Sequence, residues 1–97
     1  MSRSKEYAEH LFNRIGTGAE NALQRPNDGR IDRALRQLIQ DANMSGDCII
    51  NTGSGYFRPG EDDDVAFEDY YAAERHRAWE ILKKTSRMRE VFDRRYE

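Results

Sequence analysis

Apolar positions along this chain fall into periodic blocks, separated by runs rich in Gly, Pro, Asn and Asp. Over residues 4–15, Tyr7, Ala8, Leu11, Phe12 and Ile15 recur at helical spacing. That predicts a first helix with one apolar face, ended by Gly16-Thr17-Gly18. Ala22 and Leu23 form a short apolar segment that reads as a strand or the end of a turn. Arg25-Pro26-Asn27-Asp28-Gly29 is loop material. In "RIDRALRQLIQDAN", Ile31, Ala34, Leu35, Leu38, Ile39 and Ala42 repeat at i, i+3, i+4, i+7, i+8 and i+11. This predicts a helix over 31–43 with Ile31, Leu35, Leu38 and Ile39 buried. Its opposite face carries Arg33, Arg36, Gln37 and Gln40, with Arg30 at its start. Asn27 or Asp28 is placed to cap the beginning, and Ser45-Gly46 ends it.

The period then changes from helical to strand-like. "DCIINTGSGYFRPG" predicts a β-hairpin over 47–58, in which Ile49-Ile50 and Tyr56-Phe57 flank a five-residue turn, 51–55. After Pro59-Gly60 come Glu61-Asp62-Asp63-Asp64, and acids at a helix start interact favourably with its exposed amides. A helix over 65–84 follows, with Phe67, Tyr70, Tyr71, Ala78, Ile81 and Leu82 in one stripe and Trp79 beside it. Met88, Val91 and Phe92 extend the pattern beyond Thr85-Ser86, where a bend is expected. The fold class is mainly α with a small β-hairpin. A single domain over 1–97 is expected, with a core at 4–60 and a C-terminal helical extension at 61–97.

Composition narrows the function. Ninety-seven residues suit one core. At 35% charged and 37% hydrophobic, the chain suits a small helical domain with a wide solvated surface, or one that completes its core by dimerising. A net charge of −2 excludes a global positive field. Charge is nonetheless segregated: residues 44–70 hold one basic and seven acidic residues, whereas 71–97 hold eight and five. Cys48, the only cysteine, excludes an intrachain disulfide and a zinc site of several thiolates. Its setting before Ile49-Ile50 reads as a small buried side chain. No long apolar run and no apolar N-terminal segment are present, so a soluble, cytoplasmic protein without a membrane partner is expected.

Catalytic chemistry finds no foothold. His10 and His76 sit in no metal-ligand motif. Gly53-Ser54-Gly55 lacks the lysine and the following helix of a phosphate loop. Ser54 lacks the full nucleophile-elbow pattern and a nearby histidine, and Asp62–64 has no partner to single out an acid or a base. The expectation is a binding module, not an enzyme, with no catalytic residues, no metal and no cofactor.

A helix, a short apolar segment, a polar-faced helix and a hairpin follow the order of a winged helix-turn-helix, in which a helix enters the major groove and the hairpin wing approaches the backbone. More narrowly, "GTGAENAL", "RALRQLIQDA", "DCIINTGSGYFRP" and "ERHRAWEILKKTSRMR" resemble a family of small winged helix-turn-helix-like proteins of prophages and mobile elements of Gram-positive bacteria. Glu20-Asn21-Ala22-Leu23, Gly46, Ile49-Ile50 and Gly55-Tyr56-Phe57 match that family's pattern, and the resemblance covers about residues 16 to 95. It implies a DNA-binding regulator. One departure stands out: only residues 24–30 separate Leu23 from Ile31, too few to supply the first helix of the helix-turn-helix, so a trimmed scaffold is expected.

The leading expectation is thus a regulatory protein of a phage or mobile element that binds double-stranded DNA. Arg33, Arg36, Gln37 and Gln40 would face base edges, where Arg and Gln make paired contacts. Arg30, Asn51, Thr52 and Ser54 would meet the backbone. The same polar face is also what any solvated amphipathic helix presents. A rival is a protein-binding inhibitor of a mobile element, of the anti-CRISPR kind, whose partner is a host nucleic-acid-binding protein. The trimmed helix-turn-helix and the acids Glu61–Asp64, Glu68 and Asp69 favour it. A third reading is a homodimerisation module, with Phe67, Tyr71, Ala78, Trp79, Ile81 and Leu82 as interface.

Overall fold

The computed structural model describes residues 3–95. Among them the elements run α1 (Arg3–Phe12), a single 3-10 turn (Ala19–Asn21), α2 (Gly29–Met44), β1 (Ile50–Thr52), β2 (Gly55–Phe57) and α3 (Asp64–Arg94). The protein is mainly helical with a small antiparallel hairpin. It divides into two compact units, one up to Phe67 and one from Glu68.

Helix α2 begins where its chemistry dictates. Asp28 is the cap, its carboxylate accepting from the backbone N–H of Arg30 at 2.8 Å and of Ile31 at 3.3 Å. At the far end the amides of Ser45 and Asp47 both return to the Ala42 carbonyl, around Gly46 at φ 113°. The Asn43 side chain then spans both backbone groups of Ile49, donating to its carbonyl at 2.9 Å and accepting from its N–H at 2.8 Å. That pair of hydrogen bonds turns the chain from the helix into the hairpin.

Helices α1 and α2 pack together around Ala8, Leu11, Ile15, Leu35 and Ile39, and Ile49 and Tyr56 join this core. Leu35 and Ile39 are buried as expected, while Ile31 and Leu38 lie half-buried at its margin. Helix α1 is shorter than the periodicity predicts: it ends at Phe12, and Ile15 reaches the core from the turn that follows. Tyr7, expected on the apolar face, is 51% exposed, its ring tilted against that of His10.

The hairpin is tighter than expected. Ile50 faces Phe57, Asn51 faces Tyr56 and Thr52 faces Gly55, which leaves a two-residue turn, Gly53-Ser54, in place of the five-residue one. Its second strand is a centre, not an edge. Leu23 and Tyr56 exchange two backbone bonds of 2.9 Å, and Arg58 does the same with Gly16 and Gly18 at 2.9 and 2.8 Å. The apolar Ala22-Leu23 segment therefore completes the pairing of β2. Gly55 makes this possible: a Cβ there would lie 2.3 Å from the Leu23 carbonyl oxygen, and its φ of 114° disfavours any side chain. Arg58 closes the lower end, with a forked pair to Asp47 at 2.8 Å on each arm and a bond to the Ile15 carbonyl.

Cys48 is exposed, not buried as its apolar neighbours suggest. Asn43 fixes Ile49 inward, and the Asp47 carboxylate holds the Cys48 N–H at 2.8 Å, so the thiol is turned outward. Residues 22–28 contain no helix, so the first helix of a helix-turn-helix is absent there and not merely shortened. Helix α3 is not interrupted at Thr85-Ser86, where a bend is expected. Thr85 returns its hydroxyl to the Leu82 carbonyl at 3.1 Å, and α3 runs on to Arg94.

Candidate functional site

Helix α2 turns its apolar face to α1, which leaves Arg30, Arg33, Gln37 and Gln40 exposed at i, i+3, i+7 and i+10. Such spacing places them on one stripe. Gln37 donates to Asp41 at 3.0 Å one turn further on. Arg36 sits at the edge of the stripe and is not free: its Nε lies 3.3 Å from Oδ2 of Asp32.

Asp32 is the residue that organises this edge. It is 6% exposed, at the border between the apolar and polar faces of α2. Its Oδ1 accepts the Tyr56 hydroxyl at 2.8 Å, and its Oδ2 accepts Arg25 Nη2 at 2.7 Å. The Arg25 guanidinium also lies over the Tyr56 ring, 5.9 Å from its centre. One carboxylate thus joins α2, the loop before it and the central hairpin strand. Burial alone would push the Asp32 carboxyl up, but the bonds from Arg25 and Tyr56, with the charges of Arg25 and Arg36, hold it below its ordinary value. Burial, then the bond and charge of Asp32, push the Tyr56 hydroxyl up to about 12. At neutral pH the cluster is an ionised acid, a neutral phenol and two arginines.

Beside it opens a cleft of about 320 Å³ between Gln24, Arg25 and Asn27 on one side and residues 52–55 of the hairpin on the other. Of the expected hairpin residues, Thr52 and Ser54 line this cleft. Asn51 lies in β1, and its side chain leaves the opposite face of the ribbon from that of Thr52. The structure therefore sets Thr52 and Ser54 across the cleft from Arg25, and Arg36 beside Asp32; Arg25, Asp32 and Tyr56 are the group that sequence reasoning missed. Asp32 and Arg36 are legible as an i, i+4 pair. The contacts to Arg25 and Tyr56 depend on the hairpin's register and leave no local signal.

The remaining candidates lie elsewhere. Tyr71, Ala78, Trp79, Ile81 and Leu82 are exposed on α3, as are Met88, Val91 and Phe92, whereas Phe67 is half-buried. Among the acids, Glu61, Asp62 and Asp64 are exposed. Asp63 is buried, and its carboxylate accepts the Gly60 N–H at 2.8 Å, which closes the turn before α3. His10 and His76 are exposed, the latter 4.0 Å from Glu80. Among the described residues no His, Cys, Asp or Glu side chains group as metal ligands, and no helix is long and apolar enough to cross a membrane.

No protein-family model, curated protein or solved structure matches this chain.

Proposed function

We propose that this chain binds double-stranded DNA as a regulatory protein of a phage or mobile element, with α2 against the major groove and the hairpin as a wing beside it. The observation that carries the reading is the junction at Asp32. There one carboxylate holds Arg36, at the edge of the arginine-glutamine stripe of α2, and Arg25, which lines the cleft with Thr52 and Ser54, so base-directed and backbone-directed donors are tied to one residue. Absence of the first helix of a helix-turn-helix leaves α2 to dock without the usual partner that crosses the backbone, and the loop at Gln24, Arg25 and Asn27 occupies that place. Exposed apolar side chains along α3 support self-association, which would present paired α2 helices to paired half-sites.

The test is a binding titration against mixed-sequence duplex DNA across a range of salt. Affinity that falls steeply with salt supports the reading. No binding at low salt overturns it. A second reading, a protein-binding inhibitor, is favoured by the missing helix and by Glu61, Asp62 and Asp64 standing exposed together. An acidic surface of that kind suits the basic channel of a nucleic-acid-binding protein, and in that case duplex DNA competes for the partner instead of binding this chain.

A further inference from the structure

Arg25 belongs to no sequence motif, yet the fold positions it more firmly than any arginine of the α2 stripe. Its Nη2 is bonded to a buried carboxylate, its guanidinium lies over the Tyr56 ring, and its side chain remains 50% exposed toward the cleft. A guanidinium has five N–H donors, and Asp32 takes one of them. Arg36 converges on the same carboxylate oxygen, 3.3 Å away, and is 56% exposed. Two arginines sharing one aspartate leave a single net positive charge, held in place before any ligand arrives. Across the cleft stand Thr52 and Ser54, with Gln24 and Asn27 on the near side. Each of these four can donate a hydrogen bond. Gly53 carries no side chain to block entry at the tip of the turn.

We propose that this cleft is a phosphate-binding subsite, in which Arg25, positioned by Asp32 and Tyr56, holds one phosphodiester of the DNA backbone opposite Thr52 and Ser54. The charge matches: a phosphodiester brings one negative charge to a cluster with one in excess. The geometry matches as well: with Nη2 on Asp32, the Arg25 guanidinium keeps further donors for a phosphate held between the loop and the hairpin. Arg25 is preorganised, so little side-chain freedom is lost on binding. This inference rests on the DNA-binding reading but goes beyond it: it moves the anchoring contact from the hairpin tip to the loop that replaces a helix.

The experiment measures affinity against salt for wild type, Arg25→Gln, Arg33→Gln and Ser54→Asp on two unrelated duplex sequences. Arg25→Gln is expected to weaken both sequences alike and to lower the salt slope by about 0.9, the value of one phosphate contact. Arg33→Gln is expected to reduce the preference between the sequences. Ser54→Asp, at an exposed turn position, is expected to weaken both by placing a carboxylate across the cleft. This second variant keeps the test open should Arg25→Gln disturb the fold, which a thermal melt detects. If wild type binds DNA while Arg25→Gln and Ser54→Asp keep its slope and affinity, the subsite is overturned and DNA binding stands. If wild type binds neither duplex, the DNA reading falls and the subsite with it.

Discussion

Replacing Tyr56 by Phe removes a single oxygen from the core and tests whether Asp32 is held as described. The ring stays, so the 2%-exposed aromatic keeps its place in the core that includes Ile49 and Leu35. What is lost is a 2.8 Å bond to an ionised, buried acceptor. Hydrogen bonds to charged groups contribute about 1.5–3 kcal/mol. Asp32 keeps Arg25 on its other oxygen, so the lower part of that range applies, about 2 kcal/mol. Asp32→Ala strands the Tyr56 hydroxyl without its acceptor, at a cost of about 1–3 kcal/mol. Arg25 and Arg36, half in solvent, rehydrate, and their loss adds little. The double variant is the decisive one. Without Asp32 the Tyr56 hydroxyl has nothing to bond, so its removal no longer costs stability and instead relieves the stranded group, and the two changes couple by at least about 2 kcal/mol. Urea unfolding followed on the amide resonances of α2 measures this, because Trp79 lies in the other unit and its fluorescence does not report on the Asp32 cluster. Additive losses within about 0.5 kcal/mol would refute the shared network.

Other outcomes follow from the same geometry. Gly55→Ala is expected to destabilise the unit up to Phe67 by at least about 2 kcal/mol, because the new Cβ meets the Leu23 carbonyl and the φ is positive; a urea midpoint equal to wild type would contradict the close pairing. Asp32 and Asp47 are both held below the ordinary aspartate value of 3.8, Asp47 chiefly by its bond from Arg58. A depressed carboxyl contributes stability that is present above 3.8 and lost as pH falls through the folded value. Acid unfolding should therefore begin below pH 3.8, and Asp47→Asn should flatten that limb of the stability curve. Tyr56 runs the other way: its folded value near 12 against an ordinary 10 stabilises fully below pH 10 and is lost as pH rises through 12. Ultraviolet titration should show one tyrosine ionising near 12, absent from Tyr56→Phe.

Much of the scaffold was legible because it is local. Helix α2 follows from six apolar residues at helical spacing, a capping aspartate before them and a glycine after them, each acting within a turn or two of the chain. The hairpin's place followed in the same way from Ile49-Ile50 and Tyr56-Phe57 around glycines. Absence of a helix between Leu23 and Gly29 was readable from seven residues containing Pro and Gly. Exposure was harder. Tyr7 and Cys48 sit among apolar neighbours and still face water, because the direction of a side chain depends on which backbone groups its neighbours engage. For Cys48 those engagements come from Asn43 and Asp47.

The candidate site divides along the same line. Arg30, Arg33, Gln37 and Gln40 could be placed on one face from spacing alone, since a single helix fixes their relation. Arg25, Asp32 and Tyr56 could not. They lie 7 and 24 positions apart along the chain, and they meet only after Leu23 pairs with Tyr56 and Gly55 lets the two backbones close. Local periodicity carries no information about that register, which is set by burial of Tyr56 against α1 and α2 and by the backbone bonds it completes. The sequence by itself determined the helices, the hairpin and the polar stripe. Tertiary structure decided that a buried aspartate would tie an arginine of α2 to one that lines a cleft, because a charge leaves water only where distant partners have first been assembled to receive it.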